Sequence, residues 1–163
     1  MAISAHCIRM GAVRFCLAMM MGLLVVSGYV VAPVLFAKAA SHQEAGMLAG
    51  HIFHIVNISV LFLAVAVGSF WFRMSVGRFY WILLVILMIL LSVSEFAISP
   101  WMQALKDSVA SVSALPKDSP IYAKFSIYHG ISAIAHLIAT VSAIILVAMG
   151  GQSISAVKED YAS

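Results

Sequence analysis

Four apolar runs, at about residues 15–37, 47–72, 79–100 and 121–150, constrain this chain more than any motif it contains. A bilayer's hydrocarbon core of ~30 Å is crossed by ~20 helical residues, and every run reaches that length. Backbone amides in hydrocarbon find partners only within their own segment, so the runs are expected to be helices and not lipid-facing strands or loops. The composition agrees: 64% of the residues are hydrophobic and 9% are charged, too few to clothe a water-soluble domain. The expected fold class is all-α, a four-helix transmembrane bundle with residues 1–163 forming one integral membrane domain. Short loops join the helices, and residues 101–112 are expected to leave the membrane as an amphipathic extension of the third.

Chain punctuation adds detail. The first run carries basic Arg9 and Arg14 before it and Ala37-Lys38-Ala39 after it, which superficially resembles a secretion signal. Its apolar stretch is longer than the ~7–15 residues of a signal peptide, and it is read as a retained span. Pro33 and Pro100 each remove a backbone donor near one end of a span, so a bend is expected at both. The carbonyls of Tyr29 and Phe96, four residues earlier, lose their partners. Gly46 and Gly50 form a small-xxx-small pattern suited to close helix approach. Pro120 is well placed to start the fourth helix. Trp71, Tyr80 and Trp81, and at the opposite ends Trp101 and Tyr122, fit aromatic belts at two interfaces. No internal repeat is read from the sequence.

The net charge of +3 does not point to nucleic acid, because the basic residues stand at helix ends and form no run interleaved with aromatics. They read as topology signals. The link from residue 73 to 78 holds Arg73 and Arg78 with no acid beside them, so both termini are expected in the cytoplasm. On that count Arg9, Arg14 and Lys158 are inside, and Lys38, Lys106, Lys117 and Lys124 outside. Cys7 and Cys16 form neither a CxxC pair nor a disulfide framework. The ten methionines, three of them consecutive at Met19–Met21, are filler of apolar helices and not a converging metal site.

Ionisable residues inside spans are costly, so each is a candidate functional group. The second run holds His51, His54 and Asn57, the third Glu95, and the fourth His129 and His136. The plainest role for them is hydrogen bonding between helices. A Glu–His chain can also relay protons, and two histidines on different helices can ligate a haem b iron. No HExxH, CxxCH, phosphate-binding loop or Ser/His/Asp set accompanies them, so no enzymatic activity is expected. No cofactor is expected either, haem b being the alternative weighed against that, and no metal site.

The stretch Gly28-Tyr-Val-Val-Ala-Pro33-Val-Leu-Phe36, followed by Gly46…Gly50-x-x-Phe53, resembles the Transmembrane protein 205-like family. So does Ile98-Ser-Pro100 leading into Phe125-Ser-Ile-Tyr-His129-Gly-Ile-Ser132. The resemblance covers about residues 15–150. It implies a four-span helical fold with the motif residues on one side, and no defined activity; the animal relatives are linked to drug resistance and secretion without a defined transport cycle. Pro33, Phe36, Pro100, Phe125, His129 and Ser132 match the motifs, whereas His51, His54, Glu95 and His136 lie outside them. Together with Asn57 and Glu95, the matching residues are expected to line a polar pocket on the outer side. His129 is expected to form its floor by a hydrogen bond to the first or second span near Pro33. The function expected is a small-molecule or ion binding or transport-associated module. The competing expectation is a structural or assembly subunit, docked on a membrane-protein partner or on a second copy. The lipid bilayer is the one partner both share.

Overall fold

In the computed structural model, which describes residues 5–109, 112, 115–116 and 118–150, four helices are long and apolar enough to cross a membrane. They are α1 (Cys7–Lys38), α2 (His42–Trp71), α3 (Arg78–Asp107) and α4 (Pro120–Met149). The chain is an all-helical integral membrane protein, and no strand occurs among the described residues. Lys117, Lys158 and the C-terminal tail, used above to orient the chain, lie outside the described residues.

Local chemistry sets the helix ends. Ser41, in extended backbone conformation, accepts a hydrogen bond from the Glu44 amide at 3.1 Å, while the Glu44 carboxylate accepts one from the Ala40 amide, also at 3.1 Å. This reciprocal cap starts α2 directly after α1 ends. Pro120 opens α4, where its missing donor costs nothing.

The two prolines do bend the hydrogen-bonding pattern, by a specific device. Each is preceded by a π-helical turn, Val26–Val31 before Pro33 and Ser94–Ile98 before Pro100. The Ala32 amide reaches back to the Ser27 carbonyl, and the Ser99 amide to the Ser94 carbonyl, one residue further than in an α-helix. A proline ring pushes on the carbonyl four residues earlier; widening the preceding turn relieves that push without ending the helix. Thus α3 runs straight on through Pro100, and the expected amphipathic extension is the last two turns of the same helix. Its Lys106 ammonium donates to the Gly46 carbonyl of α2 at 3.4 Å and sits 5.9 Å from the centre of the Phe125 ring of α4.

The helices form an antiparallel ring in chain order, with α4 closing on α1. In lipid there is no water to drive apolar association, so close packing and interhelical hydrogen bonds carry the fold. Met20, Leu24, Val60, Leu84, Leu87, Leu91 and Leu146 are the fully buried side chains of one continuous core. Small residues at four-residue spacing, Ala135, Ala139 and Ala143, let α3 lie close on α4. In α2 the buried small pair is Ala45 and Ala49. At Gly46 and Gly50, one residue on, a Cβ would meet nothing within 4 Å, so close helix approach does not require these glycines. At the α2–α3 hairpin Trp71 is buried against Trp81, their ring centroids 5.5 Å apart, so Trp71 serves packing and not a lipid-facing belt.

Candidate functional site

The polar groups inside the spans form a layer across the bundle, away from the helix ends. His54 and Asn57 are the 13th and 16th residues of the 30 in α2; Glu95 is the 18th of 30 in α3, and His136 the 17th of 30 in α4. At ~1.5 Å per residue Glu95 lies ~9 Å before Trp101, where the amphipathic last turns of α3 begin.

Two clusters make up the layer. At the α2–α3 seam Glu95 is 7% exposed and is held by two donors three residues apart on α2. The His54 Nδ1–H donates to Glu95 Oε1 in a short contact, and Asn57 Nδ2 donates to Oε2 at 3.0 Å. Residues three apart share a helix face, which is why one carboxylate can take both. The π turn in α3 contains Glu95 and re-aims its side chain into the seam. Two further polar atoms, Asn57 Oδ1 in the clasp and Ser94 Oγ on the residue before Glu95, are buried without a hydrogen-bond partner. The His54 side chain is 62% exposed, on the outside of the bundle.

At the α4–α1 seam, His136 Nε2–H donates to the Leu24 carbonyl at 3.1 Å, one turn before the α1 π turn. Ser27 Oγ donates to the same carbonyl at 3.2 Å. The ring lies over Gly28, where a Cβ would stand 2.5 Å from His136 Nε2, so only glycine leaves room for it. Phe53 of α2 packs edge-on against the ring at 5.2 Å between centroids, linking the two clusters through the residue next to His54.

The remaining candidates are placed elsewhere. His51 is exposed and bonds the Met47 carbonyl of its own helix at 2.9 Å. His129, expected to cross to α1 or α2, is exposed and stacks on Phe125 of its own helix with ring planes 7° apart. The register explains the correction. Buried Ala135, Ala139 and Ala143 define the inner face of α4, and His129, six residues before Ala135, is turned well away from it. Pro33, Phe36 and Pro100 are exposed, and Phe125 and Ser132 are half-buried. Of the residues expected to line an outer pocket, the structure joins only Asn57 and Glu95. The four histidines do not converge on a shared ligand position either, since each ring has a different partner. That geometry does not fit bis-histidine haem ligation. His136 and the buried Ser27 and Ser94 were passed over or underweighted in the sequence, although a serine six residues before each proline was there to be read.

A comparison with protein families matches residues 15–111 to one described as Domain of unknown function (DUF4149), over more than half of the chain. The chain belongs to this family. The matched segment contains α2, both π turns and the whole Glu95 clasp, and leaves out α4 with His129 and His136. No curated protein and no solved structure matches the chain.

Proposed function

We propose that the protein is a membrane-embedded module that binds a small monovalent cation, a proton or an alkali ion, at Glu95 and takes part in moving it. The observation that carries this reading is a carboxylate buried within a span, with an unpartnered amide oxygen on one of its two donors and an unpartnered hydroxyl on the preceding residue. A carboxylate in hydrocarbon is costly, and a chain that keeps one there commonly uses it on an ion path. A carboxylate beside an amide whose oxygen is unpartnered suits a hard monovalent ion.

The test is labelling of the purified protein in lipid with a hydrophobic carbodiimide, mapped by mass spectrometry. Glu95 is expected to be modified, and sodium or lithium to protect it if an alkali ion is the ligand. Protection by neither, with labelling that follows protonation alone, assigns the proton. A Glu95 that stays unlabelled under all conditions would sink the reading.

A second reading, a subunit of a larger membrane assembly or a homo-oligomer, is favoured by one observation: a half-open imidazole within a span, on the outside of the bundle. A partner covering the α2–α3 seam would satisfy it. Native mass spectrometry of the complex released from membranes distinguishes the two.

We assign the protein to a bacterial inner membrane with both termini cytoplasmic. Arg9, Arg14, Arg73 and Arg78 gather at one end of the bundle, and Lys38, Lys106 and Lys124 at the other. The acid-free Arg73–Arg78 hairpin decides the orientation. The likeness to the Transmembrane protein 205-like family is kept as a proposal on the same footing, supported by the four-span fold and the π turns that its proline motifs produce.

A further inference from the structure

Helices α1 and α3 run in the same direction and coincide in detail when shifted by 67 residues. Leu17, Met20, Leu24 and Ser27 then fall on Leu84, Leu87, Leu91 and Ser94, and all eight are buried. The exposed residues correspond as well: Val26 falls on Val93, Tyr29 on Phe96, and Pro33 on Pro100. Seven of the 19 residues from 15 to 33 are identical to their counterparts. Identity in apolar helices can arise from composition, but composition does not place a π turn before a proline at the same register twice. Two open grooves share three lining positions under the shift, Val85, Ile89 and Val93 in one and Ala18, Gly22 and Val26 in the other, although only the second is also walled by Ile52 and Val56 of α2.

The partner helices follow. Exchanging α1 with α3 and α2 with α4 turns the α2–α3 seam into the α4–α1 seam, and the ring of packed helices contains both. Each seam holds one histidine that meets the π-turned helix, His54 at Glu95 and His136 at Gly28. Glu95 and Gly28 are 67 residues apart, the shift that superimposes the two helices. Asn57, three residues after His54, has as counterpart Ala139, three after His136 and also buried. Acid and amide donor are therefore lost together.

We infer that the chain is built from two copies of a two-helix unit, related by a two-fold axis along the bundle, and that Gly28 is the position that restricts it to a single acidic site. At the α4–α1 seam the missing side chain admits the His136 ring, and its polar atoms close on one another: the imidazole and Ser27 both bond the Leu24 carbonyl. At the α2–α3 seam the carboxylate holds the histidine off, and Ser94 and Asn57 keep unpartnered atoms. One seam closes on its own polar atoms, and the other keeps polar atoms for a ligand to satisfy. Parallel repeats with an axis along the membrane normal, and a site where the repeats meet, are a recurring transporter plan. The single-site part of the inference rests on the reading of Glu95 given above; the duplication does not.

Two measurements test it. In a chain with Cys7 and Cys16 replaced by Ser, spin labels at residues 18, 26 and 29 are compared with labels at 85, 93 and 96 for depth in the bilayer, from oxygen accessibility. Each pair is expected to agree within one helical turn (~5.4 Å); a displacement of a turn or more overturns the duplication. Second, Gly28→Glu is combined with Glu95→Gln and exposed to the hydrophobic carbodiimide. Residue 28 is expected to be labelled, moving the adduct to the other seam. A folded double variant with no adduct at residue 28 overturns the equivalence of the two positions, and if that variant does not fold, the depth profile decides. A wild-type Glu95 that resists labelling defeats the ion-site reading, with the duplication then judged on depth alone.

Discussion

Removing His54 leaves the Glu95 carboxylate buried with one donor, and the energetic outcome separates an ion pair from ordinary helix glue. Interhelical hydrogen bonds inside bilayers contribute on average ~0.6 kcal/mol and at most ~1.7 kcal/mol. Breaking a buried pair by deleting one partner costs ~3–5 kcal/mol, because the remaining charge has nowhere to go. The His54 side chain is 62% exposed, which puts the loss at the lower end of that range. His54→Ala is therefore expected to destabilise the bundle by ~3 kcal/mol in equilibrium unfolding by denaturing detergent in mixed micelles. Adding Glu95→Gln removes the stranded charge while Asn57 can still bond the amide, so the double variant should recover most of the loss and end within ~1–2 kcal/mol of wild type. The second substitution is expected to stabilise. If it instead adds to the damage, the carboxylate is not a buried partner of His54 and the geometry of the clasp is wrong.

Further outcomes follow from the same coordinates. Gly28→Ala drives a methyl to within 2.5 Å of the His136 ring and should cost ~1–3 kcal/mol, whereas the same change in a His136→Ala background should cost much less, both read by detergent unfolding. His51→Ala and His129→Ala remove exposed rings bound only within their own helices and should change stability by no more than ~0.5 kcal/mol in that assay. Leu87→Ala opens a cavity in the fully buried core and should cost ~2–5 kcal/mol with the fold retained by circular dichroism. Reporter fusions at residue 76 and residue 112 should report cytoplasm and exterior respectively, and the reverse pattern inverts the proposed orientation.

The span count was legible because the bilayer imposes one length and one secondary structure on apolar runs, and Pro120 marked the start of α4; the Ser41–Glu44 cap, which starts α2 at His42 and not near residue 47, went unread. Glu95, His54 and Asn57 were legible as candidates for their type and depth, yet nothing local showed that they meet. That contact depends on the α2–α3 register and on a π turn, which shifts every later residue of α3 by an extra fraction of a turn. Reading Pro33 and Pro100 as pocket walls failed for a related reason. Their effect lies in the preceding turn, while the rings themselves face outward. His129 drew weight from its neighbours in a short motif, and the face of α4 it occupies is fixed instead by the spacing of Ala135, Ala139 and Ala143. The duplicated half was missed because the correspondence shows in burial pattern and backbone irregularity more than in residue identity.

Ion flux in reconstituted vesicles addresses the central claim most directly. Purified wild-type protein, Glu95→Gln and His51→Ala are placed in liposomes with an interior pH indicator, and a potassium diffusion potential is imposed in media containing either sodium or an impermeant cation. Wild type and His51→Ala are expected to move protons or sodium at equal rates well above empty vesicles, and Glu95→Gln to fall to the empty-vesicle rate. Equal flux through wild type and Glu95→Gln, or none through either, would contradict an ion site at Glu95.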